Sequence, residues 1–142
     1  MRKFFFALTM VLNLLLAVGT VCAEQRTPSP DWVANLPQAA GAKQLFVVAG
    51  IGKTTPWVSM HEKDEDGNWR QIMTTPGVIG KNGLGSAIFL HCFGPAKPYT
   101  GGCVALPEEK MRFVMQHVRP DCVVVINALQ RLSPETAEAW GI

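Results

Sequence analysis

The sequence carries almost no net charge: 13 basic and 11 acidic residues leave +2 at pH 7. That balance excludes the strongly basic face a nucleic-acid binder needs and argues against a polybasic membrane contact. No internal repeat and no low-complexity tract is present, which excludes solenoids and biased linkers. Metal-ligand spacing is missing as well. His61, on a hairpin, and His117, on a helix, therefore read as surface or partly buried residues rather than ligands. The stretch "GIGKTT" at residues 50–55 invites a phosphate loop, but the pattern needs glycine five positions before Gly52, and Val47 stands there. Nothing points to a cofactor or a metal.

What is present begins with a targeting segment. Residues 1–23, "MRKFFFALTMVLNLLLAVGTVCA", have a basic start at Arg2 and Lys3, a long apolar run and a small-residue end at Val21-Cys22-Ala23. This is the pattern of a cleavable secretory signal. The apolar run tails off into Gly19 and Thr20, which argues against a retained membrane anchor. Val21 does not suit lipid attachment at Cys22. Export to the periplasm or cell envelope is expected. Cleavage removes two of the 13 basic residues and no acid, so the remaining chain is neutral with its histidines uncharged. A chain of that length makes one domain with a modest core.

Three cysteines remain after cleavage: Cys92, Cys103 and Cys122. An odd number in an exported protein leaves at least one thiol unpaired or bonded to another molecule. Pairing of Cys92 with Cys122 would leave Cys103 free. The alternative is that Cys92 and Cys122 are small buried hydrophobes on strands.

Along the chain, residues 24–43 open with "EQRTPSPDW", whose prolines and polar residues suggest an extended leader onto a domain at 44–142. "QLFVVAGI" reads as a strand. "PWVSMHEKDEDGNWRQIM" reads as a hairpin turning at Asp66-Gly67. Trp57 and Trp69 on it are expected to fill the core or a cross-strand pair rather than bind sugar. "TTPGVIGKNGLG" is loop-like, and "SAIFLHCF" is the next strand. "PEEKMRFVMQHV" at residues 107–118 reads as a helix begun by Pro107, with Met111, Val114, Met115 and Val118 on one apolar face. "RPDCVVVIN" reads as a buried strand, and a short helix capped near Ser133 follows. The expected fold is mainly β with one packed helix.

The chemistry concentrates in residues 89–106, "FLHCFGPAKPYTGGCVAL". A thiol becomes a nucleophile when it is partly thiolate, which a nearby imidazole or helix N-terminus promotes. Cys103 lies shortly before the helix at Pro107, so the helix dipole is expected to contribute. Gly101 and Gly102 allow close backbone approach, and their amides with that of Cys103 suit an oxyanion. His91, ending a strand, is placed to fold back over the loop as general base and later acid. Tyr99 and Lys97 lie in the same loop, either against substrate or in solvent.

The segments "SAIFLH" and "YTGGCVALPEEKM" resemble the L,D-transpeptidase catalytic domain (YkuD-like) family, whose motif is a histidine, a loop, then Ser/Thr-His-Gly-Cys and an apolar residue. The resemblance covers about residues 86–127, and the hairpin with "VSMHEKDEDGNW" is similar to the family's first hairpin. It implies a β-sandwich-type domain with Cys103 as acylated nucleophile, His91 as proton carrier, and Thr100, Tyr99, Gly101 and Gly102 around the substrate. It implies peptidoglycan stem peptides as substrate and acyl transfer through a Cys thioester as reaction. Gly101 stands where the family has a second histidine, and Ala105 where it has a polar residue after the cysteine. "KNGLG" runs directly into "SAIFLH", so the chain reads as a family member with an internal segment missing.

The first expectation is an exported, cysteine-dependent L,D-transpeptidase crosslinking peptidoglycan. Hydrolysis of the same polymer by an L,D-carboxypeptidase or amidase is the second. A catalytically inactive wall-binding remnant is the third.

Overall fold

Strand β2 (Gln44–Gly50) is buried along nearly its whole length because it has a strand on each edge and cover on both faces. The computed structural model describes residues 26–80, 88–94 and 100–142. The expected signal segment, Tyr99, Lys97 and the start of "SAIFLHCF" lie outside the described residues. Around β2 a five-stranded sheet is built from β1 (Thr27–Pro28), β3 (Pro56–Lys63), β4 (Trp69–Pro76) and β7 (Cys122–Ala128), in the order β1-β4-β3-β2-β7. Strands β2, β3 and β4 run antiparallel as the alternating pattern requires, with Val47 opposite Ser59 and Ser59 opposite Thr74. Strand β7 returns parallel to β2, pairing Val47 with Val125. A second, two-stranded parallel ribbon joins β5 (Leu90–Cys92) to β6 (Val104–Leu106). The described residues are thus mainly strand with a few short helices.

Alternation along the strands sends side chains to two different cores. Phe46, Val48, Val58, Met60 and Met73 face one way and pack against Val104, Leu106 and Val114. Leu45 and Val47 face the other way and meet Val33, Leu36, Ala39 and Ala42. Full burial of each valine, leucine, methionine or phenylalanine among them stabilises the fold by about 1.5–3 kcal/mol. The second cluster corrects the reading of residues 24–43 as a leader. From β1 onward the segment is part of the domain. Its helix α1 (Asp31–Ala34) and the 3-10 turn at Pro37–Ala39 present an apolar residue at every third position, 33, 36, 39 and 42.

Helix α2 (Glu108–His117) starts immediately after Pro107, with both glutamates in its positive first turn. Its buried side is centred on Val114 and flanked by Met111 and Phe113. Met115 and Val118, expected on that side, are 67% and 46% exposed. Phe113, whose ring stacks on His117 at 4.0 Å, borders the core instead of Met115. Beyond the helix, the buried carboxamide of Gln44 reaches its last turn. Nε2 donates to the His117 carbonyl at 3.0 Å, and Oε1 accepts from the Arg119 amide at 2.9 Å.

Strand β7 is an edge strand rather than a buried one, so only β2 covers its side and Val124 remains 59% exposed. Helices α3 (Leu129–Leu132) and α4 (Pro134–Ala139) then fold back over the sheet. The Ser133 hydroxyl caps α4 by accepting from the Thr136 amide at 3.3 Å. Trp57 meets Trp140 edge-to-face at 6.1 Å, whereas Trp69 carries the Lys63 ammonium 5.1 Å above its ring across the β3–β4 ladder. No helix among the described residues is long and apolar enough to cross a membrane.

Candidate functional site

The ribbon β5–β6 positions the histidine and the cysteine. His91 is the middle residue of β5, directly beside Ala105, with its ring held at the Cys92 carbonyl. Cys103 is the residue before β6, and the Val104 amide donates to the Phe89 carbonyl at 2.9 Å. Side chains alternate along each strand, and paired residues of a parallel ladder share a face. Leu90, Val104 and Leu106 turn to the core, so His91, Ala105 and Cys103 share the other face. Two residues along a strand and one strand across place the His91 and Cys103 Cα atoms about 8 Å apart. No direct hydrogen bond joins imidazole and thiol.

The imidazole is held by its own chain. His91 Nδ1 lies 2.7 Å from the Cys92 carbonyl oxygen. A carbonyl only accepts, so Nδ1 carries the proton and donates it, and in the neutral ring Nε2 keeps its lone pair. His91 is exposed, and no described side chain occupies Nε2. The result is a base with a defined tautomer and an open basic nitrogen.

The glycine loop is held from two sides. The Thr100 hydroxyl donates to the Cys103 carbonyl and accepts from the Gly102 amide at 3.4 Å. Gly102 has φ +151°, a backbone state that other residues rarely adopt. Behind it stands Gly80, bridged to Thr100. A Cβ on Gly80 would lie 2.6 Å from both the Cα and the amide nitrogen of Gly102. Glycine is therefore demanded at both positions, one by conformation and one by contact. The role of Gly80 was hidden in a stretch legible only as a loop.

The proposed oxyanion donors divide. The Gly102 amide is turned toward Thr100, while those of Gly101 and Cys103 have no acceptor among the described residues. Helix α2 does not act on the thiol. Four residues of extended chain, through β6 to Pro107, separate Cys103 from the helix start by about 13 Å, and a helix dipole fades within its first turn.

All three described cysteines are free thiols. Cys92 is exposed at the end of β5, not a buried hydrophobe. Cys122 is half-buried, and burial with the neighbouring Asp121 carboxylate pushes its thiol up, away from thiolate. No group of three metal-ligating side chains occurs among the described residues. His91 and its neighbour Cys92 point to opposite faces of β5.

A cleft of about 470 Å³ adjoins the loop from behind, between the carboxyl ends of β2 and β7 and the inner side of β6. Gly102 and Val104 line it, but Cys103 does not. On the far side of the main sheet, His61 departs furthest from its sequence reading. It is wholly buried, with Nδ1 2.8 Å from the Ser29 hydroxyl and Nε2 2.8 Å from that of Ser59. The segment around Ser29, read as a leader, is what covers it. Desolvation lowers its pKa from 6.5 to about 4, so it is neutral over the physiological range.

No family model, no curated protein and no solved structure matches the chain.

Proposed function

We propose that the protein is an exported acyltransferase of the L,D-transpeptidase type, built on a shortened YkuD-like β domain and acting on peptidoglycan stem peptides. The observation that carries the reading is the shared face of His91 and Cys103, with the His91 basic nitrogen left open by the Cys92 carbonyl. The motif "YTGGCVAL" and the apolar, signal-like start of the chain support the substrate class and the place of action.

The reaction follows from those groups. His91 Nε2 takes the Cys103 thiol proton as sulfur attacks the carbonyl joining the third stem residue to the terminal D-alanine. The free Gly101 and Cys103 amides face the developing oxyanion. The tetrahedral adduct collapses to a thioester, and His91 returns its proton to the departing D-alanine amine. An amine of a second stem peptide then attacks the thioester and passes its proton to His91. Sulfur leaves and is reprotonated, and a new peptide bond remains.

A hydrolytic outcome is favoured by one specific observation: His91, Cys92 and the adjoining Phe89 and Phe93 are exposed. Water then reaches the thioester as readily as an amine does, which would give an L,D-carboxypeptidase.

Incubation with disaccharide-tetrapeptide and mass spectrometry of the products decides. Crosslinked dimers with released D-alanine are expected for transfer, and tripeptide without dimers for hydrolysis. Unchanged muropeptide overturns both and leaves the wall-binding alternative.

A further inference from the structure

Three of the four tryptophans converge on one small cavity on the sheet face opposite the ribbon that carries Cys103. Trp32 comes from α1, Trp57 from β3, and Trp140 from the end of α4. Trp57 and Trp140 stand nearly perpendicular, 85° between planes, so they form two adjoining walls rather than a stack. The cavity that these walls border has a volume of about 110 Å³. Since one water needs about 10–15 Å³, several heavy atoms fit.

The polar groups at the cavity are of one kind. Ser59, Gln71 and Thr136 reach it, and no described lining residue is charged. Ser59 is engaged with His61, and the Thr136 hydroxyl accepts from Ser133 at 2.8 Å. The Gln71 carboxamide has no hydrogen-bond partner among the described residues and keeps both a donor and an acceptor to offer. A buried charge would find no counter-ion there, so the occupant is neutral. It must offer apolar C–H surface to indole walls and an amide or hydroxyls to Gln71.

We propose that this cavity binds an N-acetylated amino sugar, its acetamido group packed against the tryptophan walls and hydrogen-bonded to Gln71. The choice of that sugar over other neutral rings rests on the peptidoglycan reading above. Bound there, a glycan strand is tethered on the back of the sheet and raises the local concentration of stem peptides around Cys103.

The test uses tri-N-acetylglucosamine, which carries no stem peptide and reports on the cavity alone. Titrated into the protein, it is expected to shift the indole N–H resonances of Trp32, Trp57 and Trp140 and to leave Trp69 in place. The variant Gln71→Ala, which keeps the aromatic walls, is expected to bind about tenfold more weakly. Absence of indole shifts overturns the proposal. So does an equal response to cellotriose, which lacks the acetamido groups, or a response to choline in place of the sugar. Sugar binding by a protein that leaves muropeptides unchanged supports the cavity and removes the thiol chemistry alone.

Discussion

The Cys92 carbonyl accepts a hydrogen bond from His91 Nδ1 at 2.7 Å, so the backbone of one residue fixes the tautomer of the ring before it. The usual device for this purpose is a carboxylate or a distant carbonyl. Here the orienting group cannot be removed by a side-chain substitution, and in the proposed mechanism the ring and the thiol are the groups that substitution can test.

It follows that Cys103→Ser abolishes release of D-alanine from disaccharide-tetrapeptide, because a serine hydroxyl is a much poorer nucleophile beside an unassisted imidazole. His91→Ala is expected to lower the rate by about 10²–10⁴-fold, the usual worth of a positioned acid–base. Cys92→Ser and Cys122→Ser should retain turnover, since Cys92 is at the outer end of β5 and Cys122 pairs with Gln44 in the main sheet. Equal loss in all three cysteine variants would assign the thiols a structural role and remove the mechanism.

Acylation should also be visible without substrate. The proposed mechanism extends to a strained β-lactam carbonyl, so a carbapenem is expected to add one equivalent of mass to the intact protein and none to Cys103→Ser. The open surroundings of His91 further predict that this adduct is lost to water over time. An unmodified intact mass after prolonged incubation would count against a reactive Cys103.

The loop that carries the thiol depends on a contact far from it in sequence. Gly80→Ala places a methyl group 2.6 Å from the Gly102 backbone, and backbone cannot yield as a flexible side chain does. The substitution is expected to cost about 1–3 kcal/mol in denaturant unfolding and to displace the Thr100–Cys103 turn. Gly101→Ala is the matched control, because nothing lies within 4 Å of its Cβ position. Should both variants unfold at the same denaturant concentration, the Gly80 contact does not hold the loop.

How much of this was legible in the sequence depended on what each residue had to signal. Strands β2, β3 and β4 declare themselves because alternation and the Asp66-Gly67 turn are local. The Thr100–Cys103 loop was legible too, since glycine pairs beside a cysteine are chemically informative. The parallel pairing of β5 with β6 was not. It joins strands separated by an eleven-residue connection, and nothing local specifies register at that distance. Val33, Leu36, Ala39 and Ala42 kept a three-residue spacing that prolines and polar neighbours obscured. That spacing is the signal by which the segment's burial, and with it that of His61, was there to be found.

His61 offers the clearest dependence on pH. Its folded pKa, about 4, lies below the 6.5 of an unfolded histidine because the ring is desolvated between Ser29 and Ser59. Above pH 6.5 neither state binds the proton, and the buried neutral ring contributes its full stability. As the pH falls from 6.5 to 4, the unfolded chain takes up the proton and the folded one does not, so stability drops through that window and levels below it. The shift corresponds to a loss of about 3 kcal/mol. Because Ser29 precedes α1, the segment over Leu45 and Val47 should loosen first, which hydrogen exchange of residues 29–42 reports. Urea melts at steps between pH 4 and 8 should show the decline in the native protein and a shallower one in His61→Gln, which has no ring to titrate. Parallel profiles for the two proteins would mean that His61 does not set the acid limb.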